Sequence, residues 1–206
     1  MLDRLSSLTN TPVTNTGSQI RITELMPGDI ATVRSVFEGL SPRSRYLRFH
    51  AARSHLPSPV QRRLADIRPG SHEAFVAVLG DRPIGIARWI RDAADPRNAE
   101  VAIEVIDAAQ SRGIGHQLAA HAARSARSAR SAGVRFFLAY IDEVRQDLRA
   151  RTVACGATVD PCDPSLLRLP VRSLLDALEK PSAAEVSGRR DIAGYNGDVL
   201  PCRSVH

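Results

Sequence analysis

The segment from Gln110 to His116 joins two stretches of chain that have different periodicities. The residues before it, Val101–Ile106, form a strand-like apolar run, and the residues after it, from Ile114 to about Ala132, place apolar side chains at helical spacing. A strand, a glycine-containing turn and a helix N-terminus in this order can bind an anion. The first helix N–H groups lack internal partners, and the helix dipole adds partial positive charge. The sequence therefore predicts a site for an anionic group at this turn.

Two common nucleotide-binding motifs do not fit the turn. The Rossmann fingerprint needs a third glycine where this chain has Leu118, and the P-loop needs a lysine, whereas Lys180 is the single lysine among 28 basic residues. What remains is one Gln, one Arg and two Gly, a set that suits a pyrophosphate. Glycine lets the backbone approach the phosphates closely, and the Arg112 guanidinium can bind their oxygens.

The pattern Gln110-x-x-Gly113-x-Gly115 resembles the Gln/Arg-x-x-Gly-x-Gly/Ala signature of the GNAT superfamily, the Gcn5-related N-acetyltransferases. In that family this loop holds the pyrophosphate of acetyl-coenzyme A, the co-substrate, and the preceding strand pairs with its pantetheine arm. The resemblance implies that backbone N–H groups bind the phosphates here and that the side chains of Gln110 and Arg112 add contacts. The implied coenzyme-binding residues are Glu104, Val105, Ile106, Gln110, Ser111, Arg112, Gly113, Ile114, Gly115 and His116.

The chain as a whole predicts an α/β fold with a mixed sheet. Its periodicity and turn residues give the order β-α-α-β-β-β-α-β-α-β-β from about Ile20 to Arg172, which matches the GNAT acyl-CoA N-acyltransferase fold. A length of 206 residues, of which 43% are hydrophobic, suits one domain. We expect a flexible N-terminal tail over 1–18, a GNAT domain over 19–175 and a poorly ordered C-terminal tail over 176–206.

Capping residues predict several boundaries. Asp29 is expected to cap the first helix, and Gly133 is expected to end the helix that starts at Ile114. A further helix is expected over 142–154, followed by short closing strands, the last of them over 166–171.

Charge and composition narrow the range of partners. The net charge of +6 and the isoelectric point near 10.0 would suit nucleic acid or the phosphates of coenzyme A. The arginines are spread along the chain and not interleaved with aromatics, so nucleic acid binding ranks last. No apolar run approaches the roughly 20 residues of a membrane span, and the start lacks the apolar centre of a secretory signal. The 3 cysteines match neither a metal site nor a disulfide framework, and we expect a reduced cytoplasmic protein without a metal.

A general base or a proton path to water is useful for acetyl transfer to an amine, because a lysine amine titrates near pH 10.4 and must lose a proton before it attacks. Glu100 and Glu104 are the candidates, since four residues apart on a strand they point to one face. The sequence Ala-Glu-Val-Ala over 99–102 resembles the context of the catalytic glutamate in a GNAT branch that includes bacterial protein lysine acetyltransferases, and the segment Ser41–Phe49 also looks like that branch. The resemblance favours Glu100, and it implies that the first two helices line the acceptor side.

One departure from the family leaves a catalytic role unassigned. Many GNAT enzymes carry an Asn and a Tyr after the fifth strand, the Tyr acting as general acid, but residues 141–148 contain neither. Three functions therefore stay open, and nucleic acid binding ranks last among them. The first is an acetyl-CoA-dependent N-acetyltransferase that acts on a protein lysine or a small amine in a ternary complex. The second is a non-catalytic acyl-CoA-binding module that regulates a partner. As a separate point, the resemblance implies a possible homodimer, because such folds often dimerise.

Overall fold

The structure, a computed structural model, describes residues 19–51, 53–128 and 133–179. The strands in these ranges are β1 (Ile20–Glu24), β2 (His72–Leu79), β3 (Arg82–Arg91), β4 (Asn98–Val105), β5 (Phe136–Tyr140), β6 (Thr158–Val159) and β7 (Leu166–Pro170). The helices are α1 (Ile30–Glu38), α2 (Pro42–Phe49), α3 (Ser58–Ala65), α4 (Ile114–Ala126), α5 (Gln146–Ala154) and α6 (Val171–Glu179), and a 3₁₀ turn covers Asp107–Ala109. The described strands form a mixed sheet in the order β1-β2-β3-β4-β5-β7-β6, which confirms the predicted fold class.

Helices pack on both faces of the sheet, and the alternation of strand residues decides which helices each side chain meets. Arg88 of β3 and Glu104 of β4 lie on the face covered by α2 and α3. Arg48 of α2 binds Glu104, and Arg88 donates to a backbone carbonyl of α3 at 2.6 Å. Trp89 points to the opposite face, where its indole N–H donates to the Ser125 hydroxyl of α4 at 3.2 Å. We call these two surfaces the α2–α3 face and the α4 face.

β4 and β5 are neighbours over only part of their length. Their parallel ladder joins Asn98–Glu100 to Phe136–Leu138 and extends no further within these described strands. β4 stays paired with β3 as far as Val105, whereas β5 stays paired with β7 over its whole length. The two strands therefore diverge after Glu100. This divergence leaves Val101–Val105 without a paired strand, among the described strands, on the side that faces β5, and we call that side the open edge of β4.

The predicted order has two helices between the first two strands, whereas the described chain has three. Asp29 caps α1 as expected, its carboxylate accepting from the Thr32 N–H at 3.0 Å. Ser41 caps α2, and that helix ends at Phe49 with His50 as its C-cap, which adopts a left-handed conformation with φ of 49°. A further helix, α3, begins after Pro57. The stretch between α1 and β2 therefore contains two short helices, whereas the predicted element order has one.

Two helix boundaries differ from the sequence prediction. α4 ends at Ala126 with Arg127 as its C-cap, so Gly133 is not the cap residue. Residues 129–132, which the prediction placed in this helix, lie outside the described residues. α5 begins at Gln146 and not at 142, because the Asp142 carboxylate accepts from the Val144 N–H at 2.9 Å and closes a turn ahead of the helix.

The end of the described chain contains a helix that the sequence analysis did not predict. The last strand stops at Pro170, and α6 follows directly and crosses the predicted domain boundary at residue 175. The predicted tail over 1–18 and most of the one over 176–206 lie outside the described residues. None of the helices in the described ranges is long and apolar enough to cross a membrane.

Candidate active site

The predicted anion-binding turn follows β4 and opens α4. Ser111 and Gly113 have left-handed backbones, with φ of 63° and 73°, and together they turn the chain into the helix. The Gln117 N–H donates to the Gly113 carbonyl at 3.2 Å, so the N–H groups of residues 114–116 precede the first helical hydrogen bond. A Cβ added at Gly113 would meet no atom within 4 Å, which shows that the space beside this helix end is open.

The Gln110 side chain connects this turn to the open edge of β4. Ile106 donates its N–H to the Ile84 carbonyl of β3 at 3.0 Å, so strand alternation turns the backbone groups of Val105 to the other side. There the Gln110 amide donates to the Val105 carbonyl at 3.0 Å. This hydrogen bond thus joins the predicted anion-binding turn to the open edge of β4.

The imidazole of His116 is turned toward α6. Its Nε2 lies 3.2 Å from the Leu178 carbonyl and must donate to it, because a carbonyl oxygen only accepts. A salt bridge of 2.9 Å between Arg124 and Glu179 makes a second contact between α4 and the end of α6. The part of His116 that remains for an anion at the helix end is therefore its backbone N–H.

Glu104 lies between two buried arginines. Its Oε2 accepts from Nε of Arg48, and its Oε1 accepts from Nη2 of Arg88 at 3.1 Å. Burial raises the pKa of the Glu104 carboxyl, but the charges of the two guanidinium groups outweigh that effect and hold the pKa below its ordinary value. A carboxylate that stays ionised and has both oxygens bound is poorly suited to accept a proton from a substrate.

Glu100 lies where β4 and β5 diverge. It is the last β4 residue in the ladder with β5, opposite Leu138, and it lies opposite Ile90 of β3 on its other side. By strand alternation its side chain shares the α2–α3 face with Glu104, as their spacing predicted, but it is only half-buried. The two glutamates share a face and differ in their surroundings.

His72 of β2 is a buried titratable group on the same face. It lies opposite Ile90, and the residue is 6% exposed. Burial, followed by the charge of Arg88, lowers the pKa of His72 to about 4, so this imidazole is neutral at neutral pH.

Within the described ranges, no group of three or more His, Cys, Asp or Glu side chains could hold a metal ion.

Sequence reasoning missed Arg48, Arg88 and Asp107. One signal was available, because Arg88 stands in the apolar interior of β3, where a buried guanidinium needs a partner. Its partner Glu104 is 16 residues away, and no local pattern connects the two. Asp107 accepts from the Ser41 N–H at 2.7 Å, a contact across 66 residues that spacing cannot reveal.

Comparison of this sequence with known protein families identifies the family to which the chain belongs. Residues 39–154 match the acetyltransferase (GNAT) family. This chain belongs to the GNAT family. Among solved GNAT structures, the GNAT domain of S. lividans PAT is 26% identical, with a TM-score of 0.63 over 73% of this chain and 88% of that chain.

Two more distant structures share the fold. A cAMP-binding acyltransferase from Mycobacterium smegmatis is 19% identical with a TM-score of 0.50, and the match covers 81% of this GNAT chain and 54% of that longer chain. A diaminobutyrate acetyltransferase from Paenibacillus lautus, in complex with L-2,4-diaminobutyric acid and coenzyme A, is 14% identical with a TM-score of 0.53 over 75% of this chain and 97% of that chain. At these identities the likeness shows the fold alone.

Proposed function

We propose that this GNAT protein is an acetyl-CoA-dependent N-acetyltransferase that transfers an acetyl group to a primary amine, either a protein lysine or a small molecule, in a ternary complex. The observation that carries the proposal is the position of Glu100. It lies where β4 and β5 diverge, at the start of an open strand edge that leads to an anion-binding helix end. The neighbour that holds both an amine and coenzyme A supports the idea that this fold can bring the two together.

The coenzyme would bind along this surface in two parts. Its diphosphate would accept hydrogen bonds from backbone N–H groups between Arg112 and His116, where the helix dipole also favours negative charge. Its pantetheine arm would pair with the open edge of β4 near Val105, as an added strand does. Gln110, which now donates to the Val105 carbonyl, lies at the junction of the two parts. The remaining residues of this proposed site are Glu104, Ile106, Ser111, Gly113, Ile114 and Gly115.

The chemistry needs a base and donors for an oxyanion. Glu100 would take a proton from the ammonium group, directly or through water, and the neutral nitrogen would then attack the thioester carbonyl. Backbone N–H groups on the open edge of β4 would stabilise the developing oxyanion. The C–N bond forms first, and the C–S bond breaks as the carbonyl forms again. The second proton of the nitrogen passes to the departing thiolate, and Glu100 returns the first proton to solvent. A thiol with an ordinary pKa of about 8.5 leaves readily, so the step does not require a strong acid.

Glu100→Gln tests this assignment. The amide keeps the shape of the side chain but cannot accept the proton, so we expect kcat to fall about 100-fold or more, while the acetyl-CoA Kd measured by calorimetry stays unchanged. Glu24→Gln, an exposed strand glutamate on β1, is the matched control and should keep full activity. An unchanged kcat for Glu100→Gln at neutral pH would remove Glu100 from the mechanism.

The second candidate function is a non-catalytic acyl-CoA-binding regulatory module. It is favoured by the absence of Asn and Tyr from residues 141–148, which leaves no obvious acid to protonate the leaving thiolate. Release of free thiol from acetyl-CoA, measured with a panel of amines, distinguishes the two functions. Acetyl-CoA binding without thiol release would favour the regulatory module.

A further inference from the structure

Helix α2 is held at both of its ends by carboxylates from one short stretch of chain. At its start, Asp107 accepts from the Ser41 N–H at 2.7 Å and from the Ser44 hydroxyl at 3.0 Å. In its last turn, Arg48 binds the buried carboxylate of Glu104. Glu104 and Asp107 flank the end of the open edge of β4, so the helix is attached where β4 leads into the anion-binding turn.

Close backbone contacts hold the α1–α2 connection against the same strand end. The Asp107 N–H donates to the Gly39 carbonyl at 3.2 Å. A Cβ added at Gly39 would lie 2.5 Å from Cγ2 of Ile106, so only glycine permits this approach. These contacts leave α2 little freedom to move along β4.

The Glu104 carboxylate also reaches α3. Its second oxygen binds Arg88, which in turn donates to the Leu64 carbonyl near the end of α3 at 2.6 Å. One buried charge therefore fixes two helices on the α2–α3 face. Glu100 points to this same face, and α4 lies on the other, so an amine that reaches Glu100 must approach beside these helices.

We propose that Asp107 and Glu104 are positioning residues, which hold α2 as a wall of the acceptor site at a fixed distance from the thioester. This inference rests on the function proposed above. Neither carboxylate touches the reacting atoms; both act through α2, by way of Ser41, Ser44 and Arg48. Loss of these side-chain contacts should therefore weaken the use of the amine, and it should leave intact the coenzyme binding that uses the β4 backbone.

Steady-state kinetics with a panel of amines that includes Nα-acetyl-lysine methyl ester test the inference. We expect Asp107→Ala to raise the KM for the amine about tenfold, as expected when hydrogen bonds to a charged group are lost. The acetyl-CoA Kd should change by less than about twofold. Asp107→Asn keeps one acceptor oxygen and should restore part of the loss. A substitution of Glu104 would leave the buried guanidinium groups of Arg48 and Arg88 without their shared carboxylate partner. Arg48→Met is therefore the milder variant at the other end of α2, and it should also raise the amine KM.

The matched control is Asp163→Ala. Asp163 accepts from the Ser165 N–H at 3.0 Å and from its hydroxyl at 2.6 Å, a similar cap before β7, and its loss should leave the amine KM unchanged. If the wild type is active and both Asp107→Ala and Arg48→Met keep the wild-type amine KM, this inference is wrong and the proposed function still stands. A rise in the acetyl-CoA Kd of these variants without a rise in their amine KM would also overturn the inference. A wild type that binds acetyl-CoA but acetylates no amine would refute the proposed function, and this inference with it.

Discussion

Glu100 and Glu104 show how identical side chains on one strand acquire different chemistry. Both were predicted to share a face, because strand alternation is independent of tertiary contacts. Their surroundings differ because two guanidinium groups from other elements bind Glu104, while Glu100 lies half-buried where the sheet opens. The spacing therefore predicted the pair, and only the structure separates a candidate base from a buried ion-pair partner.

A pair of glycine substitutions separates backbone strain from ligand binding. Gly113 and Gly80 both have positive φ, 73° and 62°, and a Cβ at either would meet nothing within 4 Å. Each change to Ala should lower the free energy of unfolding by about 1–2 kcal/mol, the usual strain of a left-handed L-residue, as measured by urea denaturation. Only Gly113→Ala should also raise the acetyl-CoA Kd, because its methyl group enters the space beside the helix end. Equal acetyl-CoA affinities for the two variants would argue against phosphate binding at this turn.

The backbone geometry of the proposed anion-binding turn was predictable because all of its parts are local. A strand, two glycines and a helix start follow one another within a few residues, and each has its own sequence signal. The ion pairs around Glu104 were not predictable, because Arg48 is 56 residues away from it in sequence. Local patterns specify backbone geometry, whereas buried charge pairs depend on which distant elements pack together.

Helix α4 is attached to its side of the sheet by a polar bridge as well as by apolar packing. The Ser125 hydroxyl accepts from the Trp89 indole N–H at 3.2 Å and donates to the carboxylate of Glu73 on β2. Glu73 also accepts from the Gly70 N–H at 2.9 Å, so the bridge continues to the turn before β2. It fixes the end of α4 that lies farthest from the proposed phosphate site.

Ser125→Ala should break this bridge. We expect the free energy of unfolding to fall by about 1–3 kcal/mol, because a buried indole donor and a buried carboxylate lose a shared partner. Ser128→Ala, an exposed serine just after the same helix, should change it by less than about 0.5 kcal/mol. Urea denaturation measures both, and equal stabilities of the two variants would show that the bridge contributes nothing.

The elements that differed from prediction differ for identifiable reasons. The Arg-Ser-Ala repeat after Ala122 has good helix formers, so sequence alone extends α4 past Ala126, where the structure ends it. α6 was missed because it follows Pro170 without a separating turn, and its first residue, Val171, also suits a strand. Strand and helix interiors were therefore predicted better than their ends, which depend on packing and capping contacts.

The pH dependence of stability should reflect His72. Its pKa of about 4 in the folded protein lies below the ordinary 6.5, so between these values the unfolded chain binds a proton that the folded protein does not. Stability should therefore fall as pH drops from 6.5 to 4, by about 3 kcal/mol from this group. Arg88, Asp66 and Arg68 are the charged groups that act on the imidazole. Glu104 adds a loss at lower pH, where its carboxylate becomes protonated.

Urea denaturation at several pH values checks this prediction. His72→Gln cannot titrate, so its free energy of unfolding should change less between pH 6.5 and 4 than that of the wild type. His55→Gln, an exposed histidine before α3, should keep the wild-type pH dependence. A wild-type slope in His72→Gln would show that other groups produce the pH dependence.

The molecule as a whole brings an open strand edge, a helix N-terminus and a half-buried glutamate together on one surface, and the proposed acetyl transfer depends on a coenzyme that contacts all three. A crystal structure of the protein with coenzyme A tests this most directly. We predict that the diphosphate lies on the N–H groups of residues 112–116 and that the pantetheine arm follows the open edge of β4, with its sulfur near Glu100. A structure in which the coenzyme binds elsewhere, or in which a protein side chain fills the turn at Gly113, would contradict the account.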